Sequence, residues 1–335
     1  MKKYTKLLLV SLITVLLIIS QTGCEDKEPV SKTSYYFDTT CQIDIYDMDE
    51  EEAGDIINEA FSLCADLELL LSKTKEDSDI WNINHAEGKE VEVDDITLEV
   101  IKKGIYYGDL SDGKFDITIG TVSDLWDFHS EDPKVPDNED IKEGLSHVDY
   151  KLIKINGNKV SLSDKDAQID LGGIAKGYIC DEVTAFLKEK NVQTAIVNLG
   201  GNIAVIGQKN GKEDFKVGIE KPYTDRSEIV GYIMAHDKTF VTSGIYERYF
   251  EQDGKTYHHI IDVNTGYPVE SDIVSVSITS ELGSSVDCDG LSTTCLALGV
   301  EEATKLINSI DGVEAVFIDK DDNITYTENS GFEEE

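Results

Sequence analysis

Proline is scarce in this chain, 5 in 335 residues, and no low-complexity segment or short-period repeat interrupts it. With hydrophobic residues at 40%, that excludes a disordered or Pro-rich extended protein. The length suits one large globular domain or two modest ones, with ample core. Positive charge is scarce as well. Thirty Lys and Arg face 67 Asp and Glu, a formal net charge of −37. Nucleic acid and anionic membrane surfaces repel such a protein, which removes both as partners. An anionic nucleotide substrate would need a cation or a local basic patch to offset that field. Cysteine is limited to 6 residues, with no CxxC pair and no Cys/His cluster, which argues against a disulfide framework or a zinc site.

No apolar run is long enough to span a membrane comfortably. The basic start Lys2-Lys3-Tyr4-Thr5-Lys6 leads into Leu7 to Ile19, an apolar run of signal-peptide length. It ends at Gln21-Thr22-Gly23-Cys24 before the polar Glu25-Asp26-Lys27-Glu28. A small residue before a cysteine at this point resembles a bacterial lipoprotein cleavage site, although Gln21 stands where leucine is usual. The expectation is a signal peptide over 1–23, lipidation at Cys24, a tether over 24–36 and one two-lobed domain over 37–335. The folded part would then be lipid-anchored on the extracytoplasmic face of the cell membrane. Ordinary secretion and an uncleaved anchor are the other readings. The remaining five thiols, Cys41, Cys64, Cys180, Cys288 and Cys295, read as small buried apolar residues.

Alternation predicts strands at 37–46, 115–119, 195–198, 215–219, 229–234, 256–261, 274–279 and 315–318. Amphipathic spacing predicts helices over 51–71, 96–110, 175–188, 290–298 and 301–309. Asn156-Gly157-Asn158 between two short apolar runs is a hairpin signal. The charged stretch 127–142, with Pro133 and Pro136, reads mainly as a surface loop. Regular βαβ alternation is absent. The fold class is therefore α+β, with mixed, largely antiparallel sheets and flanking helices.

Four segments could carry chemistry. Asp289-Gly-Leu-Ser292-Thr293-Thr294 places a carboxylate and a hydroxyl four residues apart at the start of a predicted helix. They share one helix face and supply the hard oxygens Mg²⁺ prefers. Asp289 as a plain helix cap is the competing reading. Asp170-Leu-Gly-Gly173-Ile-Ala-Lys176-Gly177-Tyr178 follows a strand and opens a helix, as an anion-binding loop or a tight packing loop would. It lacks the Lys-Ser/Thr ending of a P-loop and does not fit GxGxxG. Thr242 to Arg248 comes next. Then His258 and His259 lie together on a predicted strand, where neighbours point to opposite faces, so they cannot readily chelate one ion. Either is a structural histidine or a general base.

These segments, in this order, together with Phe37-Asp-Thr, Asp112-Gly-Lys-Phe-Asp116, Asn198 to Asn202, His258 to Pro268 and Asp289 to Gly299, resemble the ApbE-type FAD:protein FMN transferases. The resemblance implies a fold of two interlocked T-fold-like halves with FAD bound between lobes and Mg²⁺ bridging its pyrophosphate to the protein. It implies metal ligation by Asp289, Thr293 and the main-chain carbonyl of Gly173, with Ser292 nearby. Gly173 stands where alanine or threonine is common. Phe37, Thr74, Lys114, Phe115, Asp116, Asp170, Lys176 and Ile261 fall at FAD-contacting positions, although Thr74 replaces an aromatic. Phe37 and Phe115 read equally as core, and Asp170 also as a helix cap. His259 aligns with the residue near the acceptor hydroxyl, and Val263 stands where proline is usual.

The implied activity is Mg²⁺-dependent transfer of FMN from FAD to a threonine of a partner, releasing AMP. Implied partners are flavin-carrying subunits of membrane redox complexes, such as sodium-pumping NADH:quinone or ferredoxin:NAD oxidoreductases, or extracellular flavoproteins. A metal-dependent FAD pyrophosphatase and a non-catalytic flavin-binding lipoprotein are the alternatives.

Overall fold

The computed structural model describes residues 28–128, 130–224 and 228–335. The leader over 1–23 and the Cys24 lipidation site therefore lie outside the described residues. The chain opens with β1 (Val30–Tyr36) and β2 (Thr39–Ile45), paired antiparallel across Phe37-Asp38. Both turn residues sit at positive φ, 53° and 56°, matching the twist a two-residue hairpin needs. Residues 30–36, expected to close a tether, are thus an edge strand of the main sheet. Its side chains are largely polar and none is fully buried, so it carries no hydrophobic alternation to read.

Helix α1 (Glu50–Leu71) begins where the Asp49 carboxylate accepts the Glu51 and Glu52 N–H groups, an N-cap ahead of an acidic first turn. It is followed by α2 (Asp79–Asn84), β3 (Val91–Glu92), α3 (Asp95–Leu110), α4 (Gly120–Trp126) and α5 (Asn138–Leu145). Strands β4 (Ile153–Asn156) and β5 (Lys159–Leu162) form the expected hairpin, with Gly157 at φ 65°. Then come α6 (Ala175–Glu189), β6 (Ala195–Leu199), β7 (Asn202–Ile206), β8 (Phe215–Glu220), β9 (Ile229–Ala235) and β10 (Lys238–Gly244). The chain finishes with β11 (Tyr249–Gln252), β12 (Lys255–His258), β13 (Ile273–Glu281), α7 (Ser285–Leu298), α8 (Val300–Ile307), β14 (Glu314–Asp319), β15 (Ile324–Tyr326) and β16 (Phe332–Glu334).

The main sheet has the order β1-β2-β6-β7-β10-β13-β14-β15, antiparallel throughout. Small sheets β16-β9-β8 and β3-β5-β4 and the β11–β12 hairpin complete it. This is the α+β class that the sequence predicts. One face of the main sheet carries Ile43, Val197, Ala204, Val241 and Ile278 into the largest core, against Ile57 of α1, Val183 of α6 and Leu291 of α7. The other face packs Val205, Phe240 and Val316 against Phe215 and Ile233 of the β8–β9 sheet. Strand β13 is covered on both sides, buried from Ile273 through Ser280. The five cysteines from Cys41 to Cys295 are buried free thiols, as expected. Burial pushes Cys41 up to about 11 and Cys64 up to about 12, which makes them inert.

Two further expectations are corrected. Residues 115–119 are not a strand; only an isolated bridge pairs Ile119 with Gln168. The Asp116 carboxylate accepts the Thr118 N–H at 2.7 Å, its hydroxyl at 2.6 Å and the Tyr150 N–H at 2.8 Å. Such local bonding offers the backbone an alternative to a ladder. The stretch 127–142 is mainly loop, as expected, and its end runs into α5, whose Ile141 and Leu145 pack against Gly266. Finally, α7 begins at Ser285 rather than Gly290, so Asp289 lies in its second turn and does not cap it.

Candidate active site

The site forms where α6 and α7 cross. Asp181 of α6 accepts the N–H groups of Ser285 and Val286 at the head of α7, at 2.8 and 2.9 Å. Asp289 of α7 accepts the Gly177 N–H in the first turn of α6 at 2.9 Å through Oδ2. Pairs 181/285 and 177/289 have a constant sum, so the helices run antiparallel and each satisfies free donors of the other. Gly177 permits the crossing: a Cβ there would lie 2.3 Å from the Ser285 carbonyl and 2.7 Å from the Asp289 Cβ. The Gly177 N–H, which an uninterrupted helix would send to the Gly173 carbonyl, goes to Asp289 instead.

Asp289 is only 2% exposed. Its Oδ1 faces the Lys176 ammonium at 3.9 Å, beyond hydrogen-bond reach, so this buried oxygen retains acceptor capacity. One turn on, Thr293 Oγ1 lies 3.4 Å from where a Gly173 Cβ would stand, and the Phe115 ring lies 3.1 Å from the same point. Asp289, Thr293 and the Gly173 backbone are therefore one cluster, and an alanine at 173 would press on Phe115. Ser292 Oγ is hydrogen-bonded to Ser243 Oγ at 2.8 Å and donates to the Asp289 carbonyl at 2.8 Å. It fastens α7 to β10. A buried carboxylate oxygen, a hydroxyl and a main-chain carbonyl are the hard donor set that suits Mg²⁺.

The loop before α6 is held by Asp170. Its Oδ1 accepts the Gly172 N–H at 2.9 Å, while Oδ2 takes Ser123 Oγ at 2.9 Å and the Lys73 ammonium at 2.8 Å. Burial is the largest single influence and would raise its pKa, but the Lys73 charge and the hydrogen bonds from Lys73, Gly172 and Ser123 together hold it below the usual carboxylate range. Lys176 donates to the Gly172 carbonyl at 3.0 Å. Asp170 and Lys176 thus join the cluster. Asp170 takes the capping-type role through Gly172, and Lys73 had no signal in the sequence beyond being a lysine after a helix.

Only His258 ends a strand; His259 follows β12. His259 is pinned twice to the Arg248 carbonyl, by its backbone N–H at 3.1 Å and by Nδ1 at 3.2 Å. The Nδ1 contact to a carbonyl places the proton on Nδ1, so Nε2 is the free base. Burial, then the neighbouring Arg248 and Lys176 charges, pushes its pKa down to about 3. His258 bonds the Val269 carbonyl through Nε2, leaves a buried Nδ1 unpartnered and is held near 4 by burial.

Other expected contacts serve the frame. Phe115 is 5% exposed and stacks edge-on to Tyr107, so it is core and cluster wall together. Phe37 packs on the main core and donates its N–H to Glu68. Asp116 spends its carboxylate on the turn described above, and burial raises its pKa. Thr74 is exposed and bonds Ser72, and Lys114 is exposed. Ile261 bridges to Pro268 and packs with Trp126 and Tyr267 beneath the turn that follows His259.

Comparison with known proteins extends this geometry. The ApbE family model matches residues 37–317. The FAD:protein FMN transferase of Treponema pallidum is 32% identical over 311 residues, 88% of this chain and 85% of that protein. One from Klebsiella pneumoniae is 33% identical, covering 84% and 86%. Among solved structures, the ApbE protein of Thermotoga maritima superposes with a TM-score of 0.82 at 30% identity, covering 90% of this chain and 97% of that one. The flavin transferase ApbE of Vibrio cholerae gives 0.78 at 28%, covering 90% and 96%. Fold and relatives define an α+β transferase acting on a flavin nucleotide. The chain belongs to the ApbE family.

Proposed function

We propose that this enzyme transfers the FMN moiety of FAD to a threonine hydroxyl of a partner flavoprotein, with AMP leaving and a phosphoester formed. The carrying observation is the α6–α7 crossing, which puts Asp289 and Thr293 beside the Gly173 backbone and Lys176. Asp289, Thr293 and the Gly173 carbonyl would hold Mg²⁺, which when bound supplies charge neutralisation at the pyrophosphate. Lys176 offsets phosphate charge in an otherwise acidic protein. Asp170 orders the loop that the nucleotide would line. His259, neutral with a free Nε2, accepts the threonine proton, because an unassisted hydroxyl is a poor nucleophile. The remaining work is alignment of hydroxyl, phosphorus and leaving group.

The test is mass spectrometry of a threonine-bearing acceptor domain incubated with enzyme, FAD and Mg²⁺. A flavin-phosphate mass increase on threonine, with one AMP per adduct, is expected. FMN and AMP without adduct would replace the proposal with a pyrophosphatase. From the lipoprotein-like start of the sequence we also propose that the protein is anchored through lipidated Cys24 on the outer face of the cytoplasmic membrane, near flavin-carrying subunits of membrane redox complexes or extracellular flavoproteins. Cys24→Ser should then move it from the membrane fraction to the soluble one.

A further inference from the structure

We propose that Lys73 is a positioning residue for this site, acting through Asp170 on the loop that carries Gly173; the inference rests on the flavin-nucleotide reading above. Lys73 follows the end of α1, far in sequence from Asp170 and the loop before α6. Its ammonium has three protons and three acceptors: Ser123 Oγ at 3.0 Å, Asp124 Oδ1 at 2.5 Å and Asp170 Oδ2 at 2.8 Å. Lys73 and Asp170 are both largely enclosed, with side chains 21% and 20% exposed. Enclosure makes such a pair costly to break, because either partner alone is a poorly solvated charge.

From Lys73 a chain of hydrogen bonds runs as far as Lys176, whose charge then faces Asp289. Asp170 holds the Gly172 N–H, the Gly172 carbonyl holds the Lys176 ammonium, and Lys176 faces Asp289 Oδ1 at 3.9 Å. One cation therefore clamps the segment after α1, helix α4 and the loop before α6, and sets where the Gly173 carbonyl and Lys176 stand. Groups that orient metal and phosphate ligands in this indirect way typically account for about 10–100-fold in affinity or activity.

Two measurements on Lys73→Met decide it. In the ligand-free protein, amide hydrogen exchange over residues 170–177 should accelerate at least tenfold, with β13 amides unchanged. By calorimetry with FAD and Mg²⁺ and no acceptor, the dissociation constant should rise at least tenfold. Lys73→Arg, which keeps the charge, should recover most of both. Lys305→Met removes an equal charge from a surface pair with Glu301 and Glu302, and should change neither. Ser123→Ala, a milder cut, should shift both in the same direction if Lys73→Met folds poorly. Wild-type exchange and wild-type affinity in Lys73→Met would overturn the proposal. Failure of the parent protein to bind FAD would sink the flavin reading instead, while the exchange arm would still decide whether Lys73 holds the loop.

Discussion

Asp181 and Ser285 are joined at 2.8 Å, a carboxylate from the second turn of one helix closing the head of the other. Asp289 returns the arrangement to Gly177 at 2.9 Å. Each helix supplies the cap that the other's own sequence lacks, since neither Ile174 nor Ser284 makes a side-chain cap bond. One Asp289 oxygen therefore serves the fold, and the metal role proposed for the other can be separated from it by substitution.

Asp289→Asn keeps an acceptor for Gly177 and removes the charge, so it should fold with a near-parental melting temperature and lose Mg²⁺-dependent transfer. Asp289→Ala should lose transfer and also about 1 kcal/mol of stability, the usual value of a helix cap. Thermal melts beside an AMP-release assay separate the two. Full transfer by Asp289→Asn would remove the metal role.

Gly177→Ala is expected to be more harmful than Asp289→Asn to the fold. The added methyl meets backbone at 2.3 Å, which a side-chain rotation cannot relieve. A cost of about 1–3 kcal/mol is expected from overpacking, read by urea denaturation. Parental stability would show that the helices cross less closely than described.

His259→Gln should lower the transfer rate by about 10²–10⁴, the usual share of a general base. FAD affinity, followed by flavin fluorescence without acceptor, should stay within twofold. A parallel loss of affinity would make His259 a binding residue.

Stability against pH should show opposing contributions from His259 and Asp181, with His258, held near 4, acting on the same side as His259. His259 is depressed from 6.5 to about 3, so between those values the unfolded chain binds a proton the native one does not. Its contribution is present above 6.5 and is lost as pH falls toward 3. Asp181 is raised by burial from 3.8 to about 6, so there the native state holds the extra proton. Its contribution is present below 3.8 and is lost as pH rises to about 6. Melting curves from pH 4 to 7 should steepen upward with pH in Asp181→Asn, which lacks the opposing part. In His259→Gln the rise with pH should flatten. The reverse signs would contradict the burial of these groups.

Much of the framework was legible because its signals are local. The apolar stripe of α1 and the Asn-Gly hairpin each need only a few neighbouring residues. The failures have a common cause in contacts formed across the chain. Strand β1 offers no buried alternation and is held by its pairing with β2. Helix α5 forms in a charged, Pro-flanked stretch because Ile141 and Leu145 find Gly266 beneath them. In the site, Asp289 and Gly173 could be picked out as ligand types, but not which helix turn Asp289 occupies, because its partner is Gly177, 112 positions away. Lys73 left no local trace for the same reason.

The crossing at Gly177 also dictates when the site can exist. A chain ending before residue 285 would contain Asp170, Gly173, Lys176 and His259 yet lack the carboxylate and hydroxyl of α7, and the first turn of α6 would be left uncapped. On the proposed ligand set, a polypeptide lacking about its last sixth, or one that folds from its beginning onward, is inert until the final segment docks. Premature fragments should not squander flavin nucleotide, because competence and completion of the fold arrive together.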